Sequence, residues 1–278
     1  MQEIITLQGK EAGPTSVILV GVHGNEPCGV RALEHILPNL TLTRGTVHVL
    51  LGNPRAYQKG VRFTEMNLNR AFQEDTAYTT SEQSTYEYQR SREIMQYLDK
   101  ATALLDIHSA QAPTAPFIFC DERALALAKE SSPDVATYVL DVEKFEQGGT
   151  DGYMSRKGDI GICIECGQHD DPQAVDVAER AVRAFLGARN HIPHTPNEES
   201  SPLRKYFTVQ YAYHTQTDTF TLVRDIPDFT HISTETCIGY DGDIPVYAPR
   251  DGYVLFARNQ YKAGTEGFLL ATYTEQLG

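Results

Sequence analysis

The stretch SVILVGVHGNEP, residues 16–27, is the strongest indicator of the fold. Its first seven residues form a dense apolar run rich in β-branched side chains, which predicts a buried strand. The glycines and the proline that follow predict a turn. Apolar residues at helical spacing over residues 30–37 then predict a helix. Pro27 suits the first position of that helix, and Glu26 suits the cap before it.

The same alternation of strand and helix continues to about residue 190. Further strands are predicted at residues 46–51, 103–107, 116–120, 135–142 and 160–166, and further helices at 82–98, 122–129 and 174–186. This order predicts an α/β sheet with helices on both faces. The polar residues 52–80 read as a long loop, which in a compact domain is usually functional or disordered.

The pattern changes after residue 190. Residues 191–204 are polar and contain three prolines, which predicts a linker between a catalytic domain at 1–190 and a second domain at 205–278. Beyond the linker the helical spacing disappears. Short strands are predicted at residues 206–213, 217–223, 245–248, 253–257 and 267–273. Their Gly, Pro and Asp turns indicate a small all-β domain.

Composition excludes several classes of protein. The chain has 278 residues, of which 41% are hydrophobic and 22% charged, which is ordinary for a globular protein with one large or two smaller domains. Its longest apolar run is about seven residues, well below the roughly 18 that a membrane helix needs. The first ten residues, MQEIITLQGK, lack a basic patch before an apolar stretch, so we expect no signal peptide.

Charge and cysteine usage restrict the partners and the compartment. The net charge is −13 and no basic stripe is visible, so neither nucleic acid nor an anionic membrane is an expected partner. An anionic substrate would need a locally positive site. The five cysteines are scattered, and the single CxxC at 163–166 has no second copy to complete a zinc site. We therefore expect reduced thiols in a cytoplasmic protein.

Two histidines and one glutamate have the placement of metal ligands. His23 and Glu26 lie three residues apart, just after a predicted strand, where ligand sites gather in α/β sheets. His108 ends another predicted strand, and Asp106 points to the same side of it. Such an imidazole and carboxylate can hold zinc, and Asp106 can orient a ligating histidine. The alternatives are a His–Glu hydrogen bond that caps the helix and an ordinary histidine at a strand end.

Glu165 interrupts the apolar segment ICIECG, residues 162–167. A carboxylate in such a strand is costly unless it is paired or has a chemical role. One interpretation is an ion pair with a buried arginine. The other is a general base, whose pKa is raised by apolar surroundings and lowered by a nearby metal.

Basic and amide side chains are concentrated in the loop after the second strand. The cations are Arg55, Arg62 and Arg70, and the amides are Asn67 and Asn69. Guanidinium groups bind carboxylates with two parallel hydrogen bonds, so this set suits recognition of a carboxylate. The alternative for any one of them is an ordinary surface arginine.

Four segments in this order, HGNE, NLNR, DIH and IECG, resemble the succinylglutamate desuccinylase/aspartoacylase family. This family is similar to the zinc metallocarboxypeptidases, and its motifs span most of residues 16–170. The resemblance implies a carboxypeptidase-like mixed sheet flanked by helices. It also implies that one zinc ion is bound by His23, Glu26 and His108.

The resemblance further implies roles in catalysis and substrate binding. Glu165 would act on the water that zinc activates, Arg62 would polarise the scissile carbonyl group, and Asn69 and Arg70 would hold a substrate carboxylate. Tyr253, in PVYAPRDGY, aligns with a tyrosine that contacts substrate in the family.

Two positions depart from the family's pattern. Asn67 stands where the family usually has Asp. Arg156 is the nearest candidate for the family's second carboxylate-binding arginine, but it lies one position away from the expected spacing.

Together these residues predict a zinc-dependent amidohydrolase that cleaves N-acyl amino acids such as N-succinylglutamate or N-acetylaspartate. A homo-oligomer is among the expected assemblies. Three alternatives remain: a metallocarboxypeptidase for short peptides, a cysteine hydrolase that uses Cys28 or Cys166, and a non-catalytic zinc-binding protein. A β-domain that caps the site argues against peptides, and Glu165 argues against a mere binding protein. The sequence has neither a G-x-S-x-G nor a Walker A string.

Overall fold

A computed structural model describes residues 1–193 and 202–275. It contains a mixed sheet of eleven strands and a separate antiparallel sheet of three. The strands are β1 (Ile4–Gln8), β2 (Glu11–Val20), β3 (Arg44–Leu51), β4 (Ala103–Ala110), β5 (Phe117–Cys120), β6 (Thr137–Leu140), β7 (Ile160–Gln168), β8 (Lys205–His214), β9 (Phe220–Leu222), β10 (Thr230–Ile232), β11 (Cys237–Asp241), β12 (Ile244–Tyr247), β13 (Gly252–Leu255) and β14 (Glu266–Thr274). The helices are α1 (Cys28–Ile36), α2 (Pro54–Lys59), α3 (Thr80–Gln83), α4 (Tyr86–Leu98), α5 (Leu125–Ser131), α6 (Thr150–Lys157) and α7 (Pro172–Ala188).

The centre of the large sheet is parallel. Across the sheet the order is β1-β3-β2-β4-β7-β5-β6-β8-β14-β13-β10, and β3, β2, β4 and β7 run in the same direction. Their near-continuous apolar runs are buried on both faces, as in α/β folds in general. Because these strands are parallel, their carboxyl ends meet at one edge of the sheet.

Helices cover both faces of this centre, as predicted. On one face, α1, α5 and α7 pack together, and α7 inserts Val182 and Phe185, which are completely buried. On the other face, α4 and α6 contribute Ile94, Leu98 and Met154 to a second core. Burial of each such side chain contributes about 1.5–3 kcal/mol.

The C-terminal strands extend the large sheet. Strand β8 pairs with β6 in parallel, and β14, β13 and β10 follow it. A shared core joins the N-terminal and C-terminal parts of the large sheet. In it, Phe117 and Val139 pack with Phe207 and Leu269. The domain boundaries at 1–190, 191–204 and 205–278 stay predictions, and residues 194–201 of the predicted linker lie outside the described residues.

The structure corrects several local predictions. The predicted helix at 82–98 is two helices: α3 ends at Gln83, and Thr85 caps the start of α4 by accepting a hydrogen bond from the backbone N–H of Tyr88. The predicted loop at 52–80 contains α2 and two single turns of 3-10 helix, Leu68–Arg70 and Asp75–Ala77. Glu26 does not cap α1. That helix begins at Cys28 after Pro27, without a side-chain cap.

Five elements had no prediction: β1, α2, α6, β10 and β11. Three of them are strands of three to five residues, too short to show a clear alternation of apolar and polar residues. None of the described helices is both long enough and apolar enough to cross a bilayer.

Candidate active site and metal centre

The three residues predicted to bind metal come together at the carboxyl edge of the sheet. His23 and Glu26 lie in the turn between β2 and α1, and His108 lies in the neighbouring strand β4. Their candidate ligand atoms all lie within 4.8 Å of one another, and all three side chains are buried. We call His23, Glu26 and His108 the metal cluster.

Two glycines shape the turn that carries His23. Gly21 has φ +62°, a left-handed conformation that favours glycine and ends β2. At Gly24 a Cβ atom would overlap the backbone of Ala56 and Tyr57 in α2. The turn therefore packs directly on α2, which directs the side chains of His23 and Glu26 towards β4.

The geometry of the metal cluster fits a cation. Glu26 lies between the two imidazoles: its Oε1 is 2.8 Å from His23 Nδ1 and its Oε2 is 2.8 Å from His108 Nδ1. Although His23 Nδ1 is this close to Glu26, it is buried and makes no hydrogen bond. Two imidazole nitrogens and a carboxylate are the donor set of an open catalytic zinc site. These residues therefore fit zinc.

The Nε2 atom of each imidazole in the metal cluster also has a polar neighbour. Asn67 Oδ1 accepts a hydrogen bond from His23 Nε2 at 3.0 Å. His108 Nε2 lies 3.1 Å from Asp106 Oδ2, an ion-pair contact without hydrogen-bond alignment. Asp106 also accepts a hydrogen bond from Thr150 Oγ1 at 2.5 Å. Such outer contacts fix ring orientation in metal sites, and at His23 a neutral amide provides the contact.

Burial and neighbouring charges set the protonation of the metal cluster. Burial, assisted by the Arg62 charge, lowers the pKa of His23 to about 4, so its ring is neutral near pH 7. Burial opposes ionisation of Glu26, but the His23 and His108 imidazoles outweigh it and hold the pKa of Glu26 well below its usual value. Burial likewise opposes protonation of His108, but the Asp106 carboxylate outweighs it and raises the pKa of His108.

Glu165 lies beside the metal cluster on β7, directly opposite His108 in the strand register. It is buried, and its Oε2 makes no hydrogen bond. Burial, reinforced by the charge of Glu26, raises the pKa of Glu165 to about 8. The alternative of an ion pair with a buried arginine does not describe the structure, because Arg62 donates to Glu26 Oε1 instead, at 3.0 Å.

These groups open into a cavity of about 360 Å³ that is lined by residues between 23 and 165 and by C-terminal residues between 222 and 269. Eight carboxyl groups line it: Glu26, Glu143, Glu146, Asp151, Glu165, Asp225, Asp228 and Glu266. Three guanidinium groups line it: Arg62, Arg70 and Arg258. An apolar wall is formed by Phe119, Val142, Leu222, Ile226, Phe256 and Leu269.

Arg70 is already paired with carboxylates of its own chain. Its Nε donates to Glu146 Oε2 at 3.0 Å, and its Nη2 donates to Glu266 Oε2 at 3.2 Å. Its Nη1 donates to the backbone oxygen of Asn69. We call Arg70, Glu146 and Glu266 the Arg70 cluster. The neighbouring Asn69 lines the cavity and accepts a hydrogen bond from the backbone N–H of Thr150.

Four residues singled out from the sequence for carboxylate or substrate binding are not among the described residues that line the cavity: Asn67, Arg55, Arg156 and Tyr253. Arg156, on α6, pairs with Glu143 and the backbone oxygen of Phe72. Tyr253, on β13, packs against Phe207. Arg55 stacks over the ring of Tyr86 at 4.0 Å.

The cysteines do not form a nucleophilic site. All five are free thiols, and Cys28 and Cys166 are almost completely buried. Burial raises the pKa of Cys166 well above its usual value, which disfavours the reactive thiolate.

Comparison with known proteins identifies the family of this chain. Residues 12–191 match the family model described as the succinylglutamate desuccinylase/aspartoacylase catalytic domain. The chain belongs to this family. The resemblance inferred from the four segments is therefore confirmed.

Relatives within the succinylglutamate desuccinylase/aspartoacylase family differ in their named substrates. An N-acyl-aromatic-L-amino acid amidohydrolase (carboxylate-forming) from Xenopus laevis is 32% identical over 175 residues, covering 57% of this chain and 56% of that protein. A probable aspartoacylase from Prochlorococcus marinus is 24% identical over 163 residues, covering 54% and 53%. The chain thus spans about half the length of these curated relatives.

Solved structures of the family share the fold. A succinylglutamate desuccinylase from Vibrio parahaemolyticus superposes with a TM-score of 0.79 at 18% identity, covering 98% of this chain and 86% of that one. A family protein from Rhodobacter sphaeroides gives 0.72 at 20% identity, covering 97% and 88%. The predicted fold class, a mixed sheet with helices and a small C-terminal β-structure, is confirmed.

Among the described residues, sequence reasoning missed seven charged residues of the cavity: Glu143, Glu146, Asp151, Asp225, Asp228, Arg258 and Glu266. None lies in one of the four motif segments, and all are far from those segments in the chain or lie in loops and helices without a recognisable spacing. The only signal in the sequence was weak, namely acidic residues in loops beside apolar strands.

Proposed function

We propose that the chain is a zinc-dependent amidohydrolase that cleaves the amide bond of N-acyl amino acids. The observation that carries the proposal is the metal cluster, with an unpaired buried carboxyl group, Glu165, on the neighbouring strand. A binding protein has no need of that second carboxyl group. The names of the relatives, which include an amidohydrolase and an aspartoacylase, support the same chemistry.

The metal cluster would hold the zinc ion through His23, Glu26 and His108. When bound, zinc supplies positive charge that polarises the substrate carbonyl group and favours deprotonation of a water molecule. Asn67 and Asp106 keep the two imidazoles in orientation.

Glu165 is the general base and then the general acid. Its free Oε2 accepts a proton from the attacking water as the new carbon–oxygen bond forms. It then delivers that proton to the amide nitrogen as the carbon–nitrogen bond breaks. The pKa raised by burial suits the second transfer, and a bound cation would favour the ionised carboxylate that the first transfer needs.

Arg62 stabilises the negative charge that develops on the carbonyl oxygen. Its Nη1 donates to Glu26, and its side chain is 36% exposed towards the cavity, which leaves other N–H groups for the substrate. A donor already held in place needs little reorganisation during the reaction.

The substrate's amino acid would lie along the rest of the cavity. Its α-carboxylate has Asn69, Arg70 and Arg258 as candidate partners, and the apolar wall takes uncharged parts of the substrate. Arg156 and Tyr253 lie outside the lining, so we assign them supporting roles: Arg156 holds Glu143, and Tyr253 packs against Phe207.

The direct test is a hydrolysis screen of the zinc-loaded protein. The panel comprises N-acetyl and N-succinyl amino acids, their α-amides, and a short peptide with a free carboxylate. We expect turnover of at least one N-acyl amino acid and little turnover of the peptide. Preferential cleavage of the peptide would favour the carboxypeptidase alternative, and no turnover of any compound would favour a binding protein.

A further inference from the structure

We propose that Glu87 is a positioning residue for the proposed hydrolysis. Its buried carboxylate fixes the loop of residues 61–66, which we call the Arg62 loop, and so keeps the Arg62 guanidinium group beside the reacting carbonyl oxygen. This inference rests on the proposed function and adds to it a residue that is not among the described residues that line the cavity.

Glu87 accepts five hydrogen bonds, and four of them come from the Arg62 loop. Its Oε1 accepts from the backbone N–H of Thr64 at 2.7 Å, from Thr64 Oγ1 at 2.6 Å and from Asn53 Nδ2 at 3.1 Å. Its Oε2 accepts from the backbone N–H groups of Glu65 at 3.2 Å and Met66 at 3.4 Å. Burial opposes ionisation of Glu87, but the hydrogen bonds from Thr64, Asn53 and Met66 outweigh it and lower its pKa, so a charged carboxylate accepts them near pH 7.

The rest of the fold holds Glu87 in place. Glu87 is completely buried in the first turn of α4, where the helix dipole also favours a negative charge. One turn further, Arg90 donates to the backbone oxygens of Leu51 and Gly52 at the end of β3, at 2.7 and 3.0 Å. Helix α4 is thus tied to the central sheet, and Glu87 connects the Arg62 loop to that rigid part of the protein.

The Arg62 loop has few other supports. It forms neither helix nor strand, and the side chains of Val61 and Phe63 are 40% and 42% exposed, so packing contributes little. Two backbone hydrogen bonds, from Val61 to Ala56 and from Gly24 to Arg62, hold only its first residues. Arg62 therefore lies between that first attachment and a second one at Glu87. Loss of the second would let the backbone rotate after Arg62.

The residues that follow the Arg62 loop are held independently of Glu87. Asn67 Oδ1 accepts a hydrogen bond from the backbone N–H of Asn69 at 3.0 Å, and Leu68 is completely buried. Arg70 belongs to the same turn of 3-10 helix. Loss of the contacts to Glu87 should therefore displace Arg62 more than Asn69 or Arg70. Because Arg62 would stabilise charge that develops in the transition state, the effect should fall on kcat rather than on KM.

The first measurement is the steady-state kinetics of zinc-loaded Glu87→Gln, with the N-acyl amino acid that the wild type hydrolyses fastest in the screen. Glutamine keeps the size of the side chain, but its NH2 group cannot accept the N–H groups that meet on the carboxylate. We expect kcat to fall by roughly ten- to a hundredfold, because a displacement of about 1 Å in a catalytic group can cost about 10²-fold. KM and zinc content should stay within about twofold of the wild type.

A double-variant cycle with Arg62 distinguishes positioning from a general effect on the fold. Arg62→Ala alone should lower kcat by about 10²–10³, as the loss of an oxyanion donor does. Adding Glu87→Gln to Arg62→Ala should change kcat by less than about twofold, because the group that Glu87 positions is gone. A residue that merely supported the fold would lower kcat by the same factor in both backgrounds.

Glu82→Gln is the matched control. Glu82 Oε2 accepts from the backbone N–H of Thr79 at 2.8 Å and from Thr79 Oγ1 at 2.7 Å, the same two kinds of donor that Thr64 offers to Glu87. Because Glu82 stabilises the start of α3 and not the Arg62 loop, its variant should keep kcat within about twofold of the wild type. Thermal unfolding shows which variants are folded.

A second pair of variants replaces Glu87→Gln if that protein does not fold. Thr64→Val removes the hydroxyl group that donates to Glu87, and Thr64→Ser retains it. We expect kcat to fall by roughly three- to tenfold in Thr64→Val, the kinetic equivalent of one hydrogen bond, and to stay near the wild-type value in Thr64→Ser.

The outcomes separate the inference from the proposed function. A fall in kcat that is absent from the Arg62→Ala background and from Glu82→Gln supports the inference. Normal kcat in folded Glu87→Gln, an equal fall in both backgrounds, or equal kcat in the two Thr64 variants overturns it and leaves the proposed function intact. Failure of the wild type to hydrolyse any N-acyl amino acid overturns both.

Discussion

The metal cluster and the Arg70 cluster both gather charged side chains beside one cavity, but their electrostatic states differ. In the metal cluster, two imidazole nitrogens face one carboxylate, and His23 Nδ1 makes no hydrogen bond. In the Arg70 cluster, each guanidinium nitrogen has a partner. The first arrangement fits a cation from outside, whereas the second already contains one. The proposed chemistry lies at the metal cluster, and the Arg70 cluster holds its guanidinium group between two carboxylates.

Removal of a ligand from the metal cluster should have the largest effect. We expect the purified protein to hold about one zinc per chain and His108→Ala to lose most of it, together with the activity. Metal analysis after dialysis measures this loss. Because His191 is a buried histidine that hydrogen-bonds Ser16 and the Arg44 backbone instead, His191→Ala is the control and should keep its zinc. Full zinc occupancy in both His23→Ala and His108→Ala would disprove the assignment.

Replacement of the general base should separate chemistry from binding. Glu165→Gln keeps the size of the side chain but cannot accept the proton. We expect kcat to fall by about 10²–10⁴, the usual contribution of a general acid–base group, with zinc content and KM little changed. Steady-state kinetics with metal analysis on the same sample provide the measurement. Near-normal kcat in a folded variant would remove Glu165 from the reaction.

A smaller effect is expected at Arg258, whose guanidinium group lies 3.9 Å from Glu266 and so is held less closely by carboxylates than that of Arg70. Arg258→Gln should raise KM for an N-acyl amino acid substrate by roughly ten- to a hundredfold, because a charge-assisted hydrogen bond to the α-carboxylate is lost. The α-amide of the same substrate is the control, since it offers no charge to Arg258. An equal rise in KM for both compounds would show that Arg258 acts on the structure of the cavity rather than on the carboxylate.

The two clusters also differ in how far the sequence could reveal them. His23 and Glu26 share one turn, and His108 and Glu165 end adjacent apolar strands, so local motifs were enough to predict that they meet. Glu146 and Glu266 meet Arg70 only because β14 pairs with β8 and β8 with β6.

Such pairing of distant strands leaves no fixed spacing in the chain. The resemblance implies that Arg70 binds a substrate carboxylate, which stays a prediction, and its two partners within the chain were not predicted. Similarly, the break between α3 and α4 depends on one threonine cap inside a continuous helical pattern, which spacing alone does not show.

The last expected effect concerns stability rather than activity: a pH dependence of the free energy of unfolding of the metal-free protein. Burial raises the pKa of Glu165 from an ordinary 4.5 to about 8, so between these values the folded state holds a proton that the unfolded chain releases. Stability that Glu165 contributes is therefore complete below about pH 4.5 and is lost as the pH rises towards 8. Glu165→Gln cannot ionise and escapes this loss.

The free energy of unfolding of Glu165→Gln, relative to the wild type, should therefore increase from pH 5 to pH 8. Denaturant titration of both proteins in the presence of a chelator measures the difference at each pH. Added zinc should reduce the pH dependence, because a cation beside Glu165 favours its ionised form. A difference that does not change with pH would mean that Glu165 is ionised throughout.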